Sequence, residues 1–321
     1  MTLHLVAGGA GFVGVNLAKA LLDRGDSVLV FDDLSNGKLQ HLASVLAHPR
    51  FQLEVVDCSD AVALEGALRR AEVRVDEVWH LAANSDILAG VLDPLIDLQR
   101  TFMTTFALLQ VMRSLGVGVI HFSSSSAIYG DHAERVIHED IGPLQPISNY
   151  GAMKLASEAQ LRAAVEAWLP RANIFRFPNV VGVPATHGVM YDFCRKLKNN
   201  PARLDVLGNG AQQKLYLHVD DLVQAMLHVG GLDEGGKFQV FNIGPEDDGV
   251  TVRFIAETVR DLTNADAAIA YGSEERGWIG DVPRFRYSTE KLRKTGWIPV
   301  LSSELAVRRA AAEIVAQEFS N

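Results

Sequence analysis

The sequence predicts an α/β fold built on a doubly wound parallel sheet. Short β-branched runs alternate with longer amphipathic segments through the first half of the chain, and a glycine-rich turn follows the first run. Parallel strands need crossover connections, which the intervening helical segments supply. After about residue 178 the pattern loosens into a smaller α/β region. We therefore expect residues 1–178 to form one domain and residues 179–321 to form most of a second, with interleaved segments.

Strands and helices follow one another in order along the first half. The predicted strands are Leu3–Ala7, Ser27–Phe31, Phe51–Val56, Glu77–His80, Val117–Phe122 and Asn173–Phe177. The predicted helices are Phe12–Arg24, Ala61–Arg70, Pro94–Leu115 and Ser148–Trp168, where apolar residues recur at helical spacing. The second half adds the helices Gly188–Asn199, Asp220–Val229, Val252–Leu262 and Ser302–Phe319 and the strands Arg203–Leu207 and Lys237–Ile243. The last helix opens on two serines and a glutamate, a pattern that can cap it.

Composition excludes several classes of protein. The chain has 321 residues, 48% of them hydrophobic, which is ample for a large core. Its net charge of -9 argues against a nucleic-acid or anionic-membrane partner. The two cysteines, Cys58 and Cys194, have no disulfide or zinc spacing, and no apolar run approaches the length of a membrane span. Without a basic leader either, the sequence indicates a cytoplasmic protein that holds no metal.

Three glycines at three-residue intervals, Gly8, Gly11 and Gly14, lie between the first strand and the first helix. Taken alone they could form an ordinary strand–helix turn, but this position suits close approach of a dinucleotide pyrophosphate to a helix N-terminus. Asp32 and Asp33 end the second strand, near the offset at which a carboxylate bonds the adenosine ribose. A carboxylate there repels a 2′-phosphate, so NAD is expected rather than NADP.

Two further strand ends are expected at the same edge of the sheet, where doubly wound folds bind ligands. Asp57 ends the third strand and is expected near the adenine, although it could instead cap the following helix. Leu81, Ala82 and Ala83 follow the fourth strand.

A phenol and an ammonium group lie four residues apart at Tyr150 and Lys154, which makes them neighbours on one helix face. A lysine cation and a nicotinamide ring would both favour the phenolate of a tyrosine, whose unperturbed pKa is about 10. The serine run Ser123–Ser126 follows the fifth strand and could direct hydroxyls at a substrate oxygen. The alternatives are a solvated helix face and a serine-rich turn. Motifs of serine hydrolases and zinc proteases do not occur.

Together these motifs resemble the extended short-chain dehydrogenase/reductases, within them the NAD-dependent epimerase/dehydratase family, and most closely its UDP-glucose (UDP-galactose) 4-epimerases. The resemblance runs nearly end to end. Besides the glycine turn and the Tyr150/Lys154 pair, it includes Asp32–Gly37, His80–Ala83, the serine run with Tyr129 and Gly130, Arg176–Gly182 and Tyr216–Asp221.

The resemblance implies specific roles. Ser125, Tyr150 and Lys154 would be catalytic, with Tyr150 as the base and Lys154 lowering its pKa. The cofactor-binding residues would be Gly8, Gly11, Phe12, Val13, Gly14, Asp32, Asp33, Ser35, Asn36, Gly37, Asp57, Cys58, Leu81, Ala82, Ala83, Tyr150, Lys154 and Phe177. The substrate-binding residues would be Ser85, Ser125, Ser126, Tyr150, Asn179, Val189, Leu207, Lys214, Arg276 and Asp281. A UDP-hexose would be oxidised at C4 by tightly bound NAD and reduced again on the opposite face.

Departures from the family pattern concern the substrate. Lys214 stands where the family usually has arginine, and Trp278 stands where an arginine commonly meets phosphate, a place that Arg276 could fill. Phe285 either limits room for a 2-acetamido group or is simply a core residue. Ser126 and Ala127 replace the Asp-Glu pair of 4,6-dehydratases, which favours epimerisation.

Other functions and the assembly stay open at this point. The alternatives are a 4,6-dehydratase, a 4-ketoreductase, a glucuronate decarboxylase and a non-catalytic NAD sensor. The family commonly pairs subunits through the helices that correspond to Pro94–Leu115 and Ser148–Trp168, which implies a homodimer. Those apolar stripes could equally be covered by the sheet.

Overall fold

The computed structural model describes residues 1–132, 135–232, 236–274 and 286–319. The first elements are β1 (Leu3–Ala7), α1 (Phe12–Asp23), β2 (Ser27–Asp32), β3 (Phe51–Val55), α2 (Ala61–Ala71), β4 (Glu77–His80), α3 (Ile87–Leu92), α4 (Pro94–Asp97), α5 (Met103–Leu115), β5 (Val119–Ser123), β6 (Val136–Ile137), α6 (Asn149–Ala167) and β7 (Arg171–Arg176). They are followed by β8 (Asn179–Val181), α7 (Val189–Asn199), β9 (Arg203–Val206), β10 (Gln213–Lys214), β11 (Tyr216–His218), α8 (Val219–Gly230), β12 (Phe238–Asn242), β13 (Val250–Thr251), α9 (Val252–Thr263), β14 (Ala268–Tyr271), β15 (Arg286–Tyr287), α10 (Glu290–Arg293) and α11 (Ser303–Phe319).

The chain divides into two compact units. The first unit comprises Met1–Gly130, Gly142–Arg176 and Met226–Phe241. The second unit comprises Asp131–Ile141, Phe177–Ala225 and Asn242–Asn321. The chain therefore enters each unit more than once.

The first unit is built on a seven-stranded sheet in the order β12-β7-β5-β4-β1-β2-β3. β1 pairs in parallel with both β2 and β4, so that Leu5 lies opposite Leu29 on one side and Val78 on the other. The chain moves outward from β1 to β3 and then returns past β1 to β4. Such a reversal opens the crevice in which doubly wound sheets bind their ligands. The predicted fold class is confirmed.

Apolar strands and helix stripes form the core of the first unit. Residues of β1, β2, β4, β5 and β7 are buried almost without interruption, since helices cover both faces of a parallel sheet. Capping residues fix where its helices begin and end. The Asp60 side chain accepts hydrogen bonds from Val62 N–H and Ala63 N–H at the start of α2, and α5 ends at Gly116, whose φ is 72°.

The second unit packs α7, α9 and α11 around a separate apolar core that includes Phe193, Ile255 and Val307. Its strands form small two-stranded pairings, β11 with β8, β14 with β9, β10 with β13 and β15 with β6. The predicted serine cap is confirmed, because the Ser302 hydroxyl oxygen accepts a hydrogen bond from Leu305 N–H at 3.3 Å at the start of α11.

Three features differ from the sequence prediction. The helix predicted over Pro94–Leu115 is interrupted by a π-helical segment, Leu98–Phe102, between α4 and α5. The strand predicted over Lys237–Ile243, assigned to the looser second half, is β12 and completes the large sheet beside β7. The helices α3 and α10, the strand β14 and the strands of two or three residues were not predicted. Within the described ranges, the structure has no helix with the length and apolarity of a membrane span.

Candidate active site

The glycine turn joins β1 to α1 at the carboxyl edge of the sheet. Gly8 has a φ of 80°, and a Cβ at this position would lie 2.6 Å from Ala82 N. A Cβ at Gly14 would lie 2.6 Å from Gly9 Cα. No side chain caps α1 at Gly11, so the N–H groups of its first turn are directed outward. Both glycines are required by close backbone contacts, and the turn fits a dinucleotide pyrophosphate.

Asp32 and Asp33, at the end of β2, have different surroundings. Asp32 is buried, and its two carboxylate oxygens accept hydrogen bonds from Ala10 N–H and Leu34 N–H, each at 2.9 Å. Burial raises the pKa of Asp32, an effect that these two hydrogen bonds oppose. Asp33 is exposed and accepts hydrogen bonds from the N–H and the hydroxyl of Ser35. Asp32 therefore fixes the glycine turn, whereas Asp33 is the carboxylate at the surface.

Arg100 extends this region in a way that the sequence analysis did not predict. It lies in the π-helical segment, and its Nη1 donates a hydrogen bond to the Ser35 hydroxyl oxygen at 3.2 Å. Gly37 is buried against Ala10, and Asn36 beside it is exposed. The π segment thus brings a cation to the loop that follows β2.

The residues after β3 decide whether Asp57 caps the helix α2. The cap of α2 is Asp60, so the interpretation of Asp57 as a helix cap is wrong. Asp57 is exposed and accepts hydrogen bonds at 2.8 Å from the N–H and the hydroxyl of Ser59. Cys58 is buried, and its thiol donates a hydrogen bond to Phe31 O at 3.9 Å. Burial raises the pKa of that thiol.

The residues after β4 lie against the glycine turn. Leu81 N–H donates to Ala7 O at 2.8 Å, which carries the parallel pairing of β1 and β4 beyond the last strand residues. Leu81, Ala82 and Ala83 are all partly buried. Ala82 is the residue whose backbone excludes any side chain at Gly8.

Helix α6 carries the predicted catalytic pair. The Ser148 hydroxyl oxygen caps the helix by accepting a hydrogen bond from Gly151 N–H at 3.1 Å. Tyr150 is partly buried, and Lys154, one turn later, is only 1% exposed. The Lys154 ammonium lies 5.8 Å from the centre of the Tyr150 ring and donates a hydrogen bond to Ser123 O at 2.5 Å.

The serine turn after β5 completes this arrangement. Ser125 is hydrogen-bonded to Tyr150, and its hydroxyl oxygen accepts a hydrogen bond from Ala127 N–H at 3.1 Å. A Cβ at Gly151 would overlap Ala127 O, so this glycine lets α6 pack directly on the turn. Ser126 is partly buried next to Ser125. Ser125, Tyr150 and Lys154 are therefore adjacent at the carboxyl edge of the sheet.

The pKa values of the pair differ from the expectation that Lys154 lowers the pKa of Tyr150. Burial raises the pKa of Tyr150 to about 12, and the hydrogen bond from Ser125 only partly opposes this. Burial likewise lowers the pKa of Lys154 to about 7, against the attraction of Glu158 and Asp97. Burial is thus the largest influence on the pKa of both groups.

A buried ion pair between Arg176 and Glu158 contacts the serine turn. Arg176 donates to both carboxylate oxygens of Glu158, at 3.0 and 2.6 Å, and to the Tyr129 hydroxyl oxygen at 3.0 Å. The Ser124 hydroxyl donates to Glu158 at 2.5 Å. Sequence analysis missed this network, although Glu158 continues the four-residue spacing of Tyr150 and Lys154 along α6.

The remaining predicted substrate residues are distributed over both units. In the first unit Ser85 is exposed on the turn after β4. In the second unit Asn179 starts β8 and donates to Leu215 O at 3.5 Å, Val189 starts α7, Leu207 follows β9 and is 71% exposed, and Lys214 lies in β10. Phe177, which was predicted to bind the cofactor, is partly buried and is the first residue of the segment Phe177–Ala225 of the second unit. Arg276, Trp278, Asp281 and Phe285 lie outside the described residues.

The doubly wound sheet, the glycine turn and the adjacent Ser125, Tyr150 and Lys154 define a dinucleotide-binding enzyme of the short-chain dehydrogenase/reductase type. Residues 4–244 match the NAD dependent epimerase/dehydratase family. The chain belongs to that family and is an enzyme that uses NAD.

Named relatives agree with this assignment. The chain is 31% identical to a UDP-glucose 4-epimerase of Mycolicibacterium smegmatis, over 92% of this chain and 93% of that protein. A crystal structure of a UDP-galactose 4-epimerase, 33% identical, covers 99% of this chain and 100% of its own with a TM-score of 0.86. A dTDP-glucose 4,6-dehydratase from Streptomyces venezuelae, solved with NAD bound, is 27% identical, covers 99% of this chain and 98% of its own, and also has a TM-score of 0.86.

Proposed function

We propose that this protein is a nucleotide-sugar 4-epimerase that acts on a UDP-hexose of the glucose/galactose or glucuronate type. The observation that carries the proposal is the contact of Ser125 with Tyr150, one helical turn from the buried Lys154. This set can move a proton at a sugar hydroxyl. The names of the relatives support the same reaction.

Each residue of the site has a separate role in the proposed reaction. Bound NAD supplies a hydride acceptor for C4 of the sugar and a positive charge that favours the Tyr150 phenolate. Tyr150 takes the proton of the 4-hydroxyl and later returns it, while Ser125 orients that oxygen by hydrogen bonding. Lys154 would hold the nicotinamide ribose. Inversion at C4 would require that the ketose can present either face to bound NAD, which would supply the hydride chemistry and be unchanged over the whole cycle.

We propose that the cofactor-binding residues implied by the family resemblance each contact a particular part of NAD. The glycine turn would hold the pyrophosphate, and Asp33, the exposed carboxylate of β2, would bond the adenosine ribose. Because Asp32 is already engaged by Ala10 and Leu34, it would act chiefly by shaping the turn. Asp57 and the backbone of Cys58 would lie at the adenine, and the first unit as a whole would be the NAD-binding domain.

The second unit would bind most of the nucleotide sugar, through Asn179, Val189, Leu207 and Lys214. Lysine at position 214 supplies a point charge to a phosphate rather than a bidentate fork. The roles of Arg276 and Asp281 stay predictions from the sequence.

A second candidate function is a 4,6-dehydratase, which the dehydratase relatives favour. Water elimination needs an acid and a base next to the sugar C5 and C6, and the positions that carry them in dehydratases are Ser126 and Ala127. Glu158, a buried carboxylate that accepts a hydrogen bond from Ser124 of the serine turn, is engaged by Arg176. These residues make epimerisation the better proposal.

The proposal includes a homodimer in the cytoplasm. Leu95, Leu98 and Phe106, on α4, the π segment and α5, are between 37% and 51% exposed. Apolar side chains of this size in one stretch of helix suit burial against a second copy of the chain. Cys58 and Cys194 are unpaired and buried, which fits a reducing compartment.

The test is an assay of purified protein with UDP-glucose, UDP-galactose and UDP-glucuronate, with products resolved by chromatography. The epimer should form without added NAD, and deuterium at C4 of the substrate should be retained. Release of a 4-keto-6-deoxy sugar would establish the dehydratase instead, and loss of deuterium to solvent would exclude a closed hydride cycle.

A further inference from the structure

A buried hydrogen bond joins the turn after β4 to the end of α4. Asp97, the last residue of α4, is fully buried, and its Oδ1 accepts a hydrogen bond from Asn84 Nδ2 at 2.9 Å. Its second oxygen lies directly against Gly90, because a Cβ at that glycine would overlap Asp97 Oδ2. The carboxylate is therefore held on both sides.

The orientation of the Asn84 side chain is fixed by its neighbours. Asn84 Oδ1 accepts a hydrogen bond from Asp86 N–H at 3.0 Å, and Nδ2 donates to Asp86 O at 2.8 Å as well as to Asp97. One donor and two acceptors around the amide leave a single arrangement of its oxygen and nitrogen. The backbone N–H of Asn84 donates to the Thr101 hydroxyl at 3.1 Å. Asn84 thus closes a turn whose central, exposed residue is Ser85.

The same carboxylate is coupled to the catalytic helix. Asn149, which precedes Tyr150 on α6, donates from Nδ2 to Gly90 O at 2.8 Å. Asp97 and Lys154 attract one another electrostatically, although Asp97 forms no ion pair with any described residue. Through Gly90 and Asp97, the turn that presents Ser85 is held in register with the helix that presents Tyr150.

A buried carboxylate at this place is costly for the fold. Burial raises the pKa of Asp97, and the hydrogen bond from Asn84 and the charge of Lys154 oppose the rise only in part. An apolar side chain of similar size would cost less, so stability alone does not account for the choice of residue. A charge-assisted hydrogen bond to one fixed amide does account for it, because such a bond is directional and stronger than one between neutral groups.

We propose that Asn84 and Asp97 are positioning residues that hold Ser85 towards the sugar whose reacting hydroxyl lies at Tyr150. The inference rests on the proposed function, and it adds the device that fixes one wall of the sugar site. Ser85 supplies the hydroxyl, and the Asn84–Asp97 hydrogen bond sets where that hydroxyl lies. Neither positioning residue needs to touch the substrate.

The test exchanges the residue types of the hydrogen-bonded pair Asn84 and Asp97. Asn84→Asp places two carboxylates together and should raise KM for UDP-glucose by about tenfold or more, with kcat changed far less, because it removes ordering of the sugar site. Asp97→Asn alone keeps an oxygen that can accept from Asn84 but loses the charge assistance, so it should raise KM by less than Asn84→Asp does. Combining Asn84→Asp with Asp97→Asn restores a donor and an acceptor between the two positions but leaves Asp86 O facing a carboxylate oxygen, so KM should fall part of the way back towards that of the unaltered enzyme.

Two further readouts separate positioning from general damage. Hydrogen exchange across residues 81–87 should accelerate in Asn84→Asp and slow again in the exchanged pair, with NAD content unchanged throughout. Ser85→Ala should raise KM in the unaltered enzyme but add little to Asn84→Asp, since both changes remove the same contact.

An exchanged pair no better than Asn84→Asp, or full additivity with Ser85→Ala, would overturn the inference. Failure of the unaltered enzyme to epimerise any UDP-hexose would instead refute the proposed function. In that case the exchange measurements would still decide whether the Asn84–Asp97 hydrogen bond holds the turn.

Discussion

The Lys154 ammonium lies 2.5 Å from Ser123 O and 5.8 Å from the centre of the Tyr150 ring, in a position that is 1% exposed. One lysine thus links the last residue of β5 to the helix that carries the proposed base. Because the site is so deeply buried, the charge of Lys154 costs the folded state free energy. The cost has a measurable dependence on pH.

Lys154→Met should remove part of the increase in stability with pH. The pKa of Lys154 is lowered from 10.5 to about 7, so between these values the folded protein binds fewer protons than the unfolded chain. Stability of the unaltered protein then rises with pH across this window, and the penalty of the charge is complete below about pH 7. Urea unfolding near pH 6 and near pH 9.5 gives the change in the free energy of unfolding between these two pH values. This change should be smaller for the variant, by on the order of a few kcal/mol.

The slope is the informative quantity, because lost packing and the lost hydrogen bond to Ser123 shift both measurements equally. Lys294→Met, at a lysine whose side chain is 73% exposed, is the matched control and should keep the slope of the unaltered protein. Equal slopes for Lys154→Met and the unaltered protein would contradict this account of the buried charge.

Tyr150→Phe should lower kcat by about 10²- to 10⁴-fold, because it removes the group that takes the proton. The ring and its packing stay in place, so NAD content and the unfolding midpoint should hardly change. The measurement is epimer formation together with cofactor released on denaturation. Tyr191→Phe, at a phenol that only accepts a hydrogen bond from Arg195, is the control. Normal turnover in Tyr150→Phe would remove Tyr150 from the mechanism.

Gly8→Ala should abolish NAD retention and destabilise the fold by about 1–3 kcal/mol, since its φ is 80° and the new Cβ would lie 2.6 Å from Ala82 N. Gly116→Ala is a matched comparison, with a φ of 72° and no atom within 4 Å of the new Cβ. It should share the backbone strain but keep NAD. Cofactor content and thermal midpoints of both variants distinguish the effect of the clash from that of the strain.

Glu158→Gln should destabilise the protein by about 3–5 kcal/mol, because it leaves the buried Arg176 without its counter-charge. Glu65→Gln removes an exposed pair with Arg69 and should cost less than about 1 kcal/mol. Chemical denaturation of the two variants provides the comparison. Similar losses would mean that the Glu158–Arg176 pair does not support the serine turn.

The parts of the fold that could be predicted from sequence are those with a local signature. β1 and β4 have the predicted bounds, and the other long strands and helices differ by one or two residues at their ends. The strands of two or three residues, such as β8 and β10, are stabilised by distant partners and carry no periodicity that a sequence shows. The interruption at Leu98–Phe102 also escaped prediction, because its residues continue an apolar helical pattern.

The candidate site divides in the same way. Contiguous motifs contain Gly8, Asp32, Tyr150 and Lys154, so their spacing in the sequence was sufficient to predict them as site residues. The pairs Asn84–Asp97, Glu158–Arg176 and Ser35–Arg100 join residues on different elements, and only the folded chain makes them neighbours. The pKa of Tyr150 could not be anticipated either, because it depends on burial rather than on residue type.

The late entry of β12 into the large sheet has a consequence for synthesis and for protein engineering. A ribosome has made residues 131–141 and 177–225 of the second unit before residues 238–242 emerge to pair beside β7. Until then β7 is an open sheet edge, the kind of surface that recruits other strands and aggregates. A fragment that stops at residue 178 would keep that edge permanently, so separate expression of a cofactor-binding half must graft residues 226–242 back onto it.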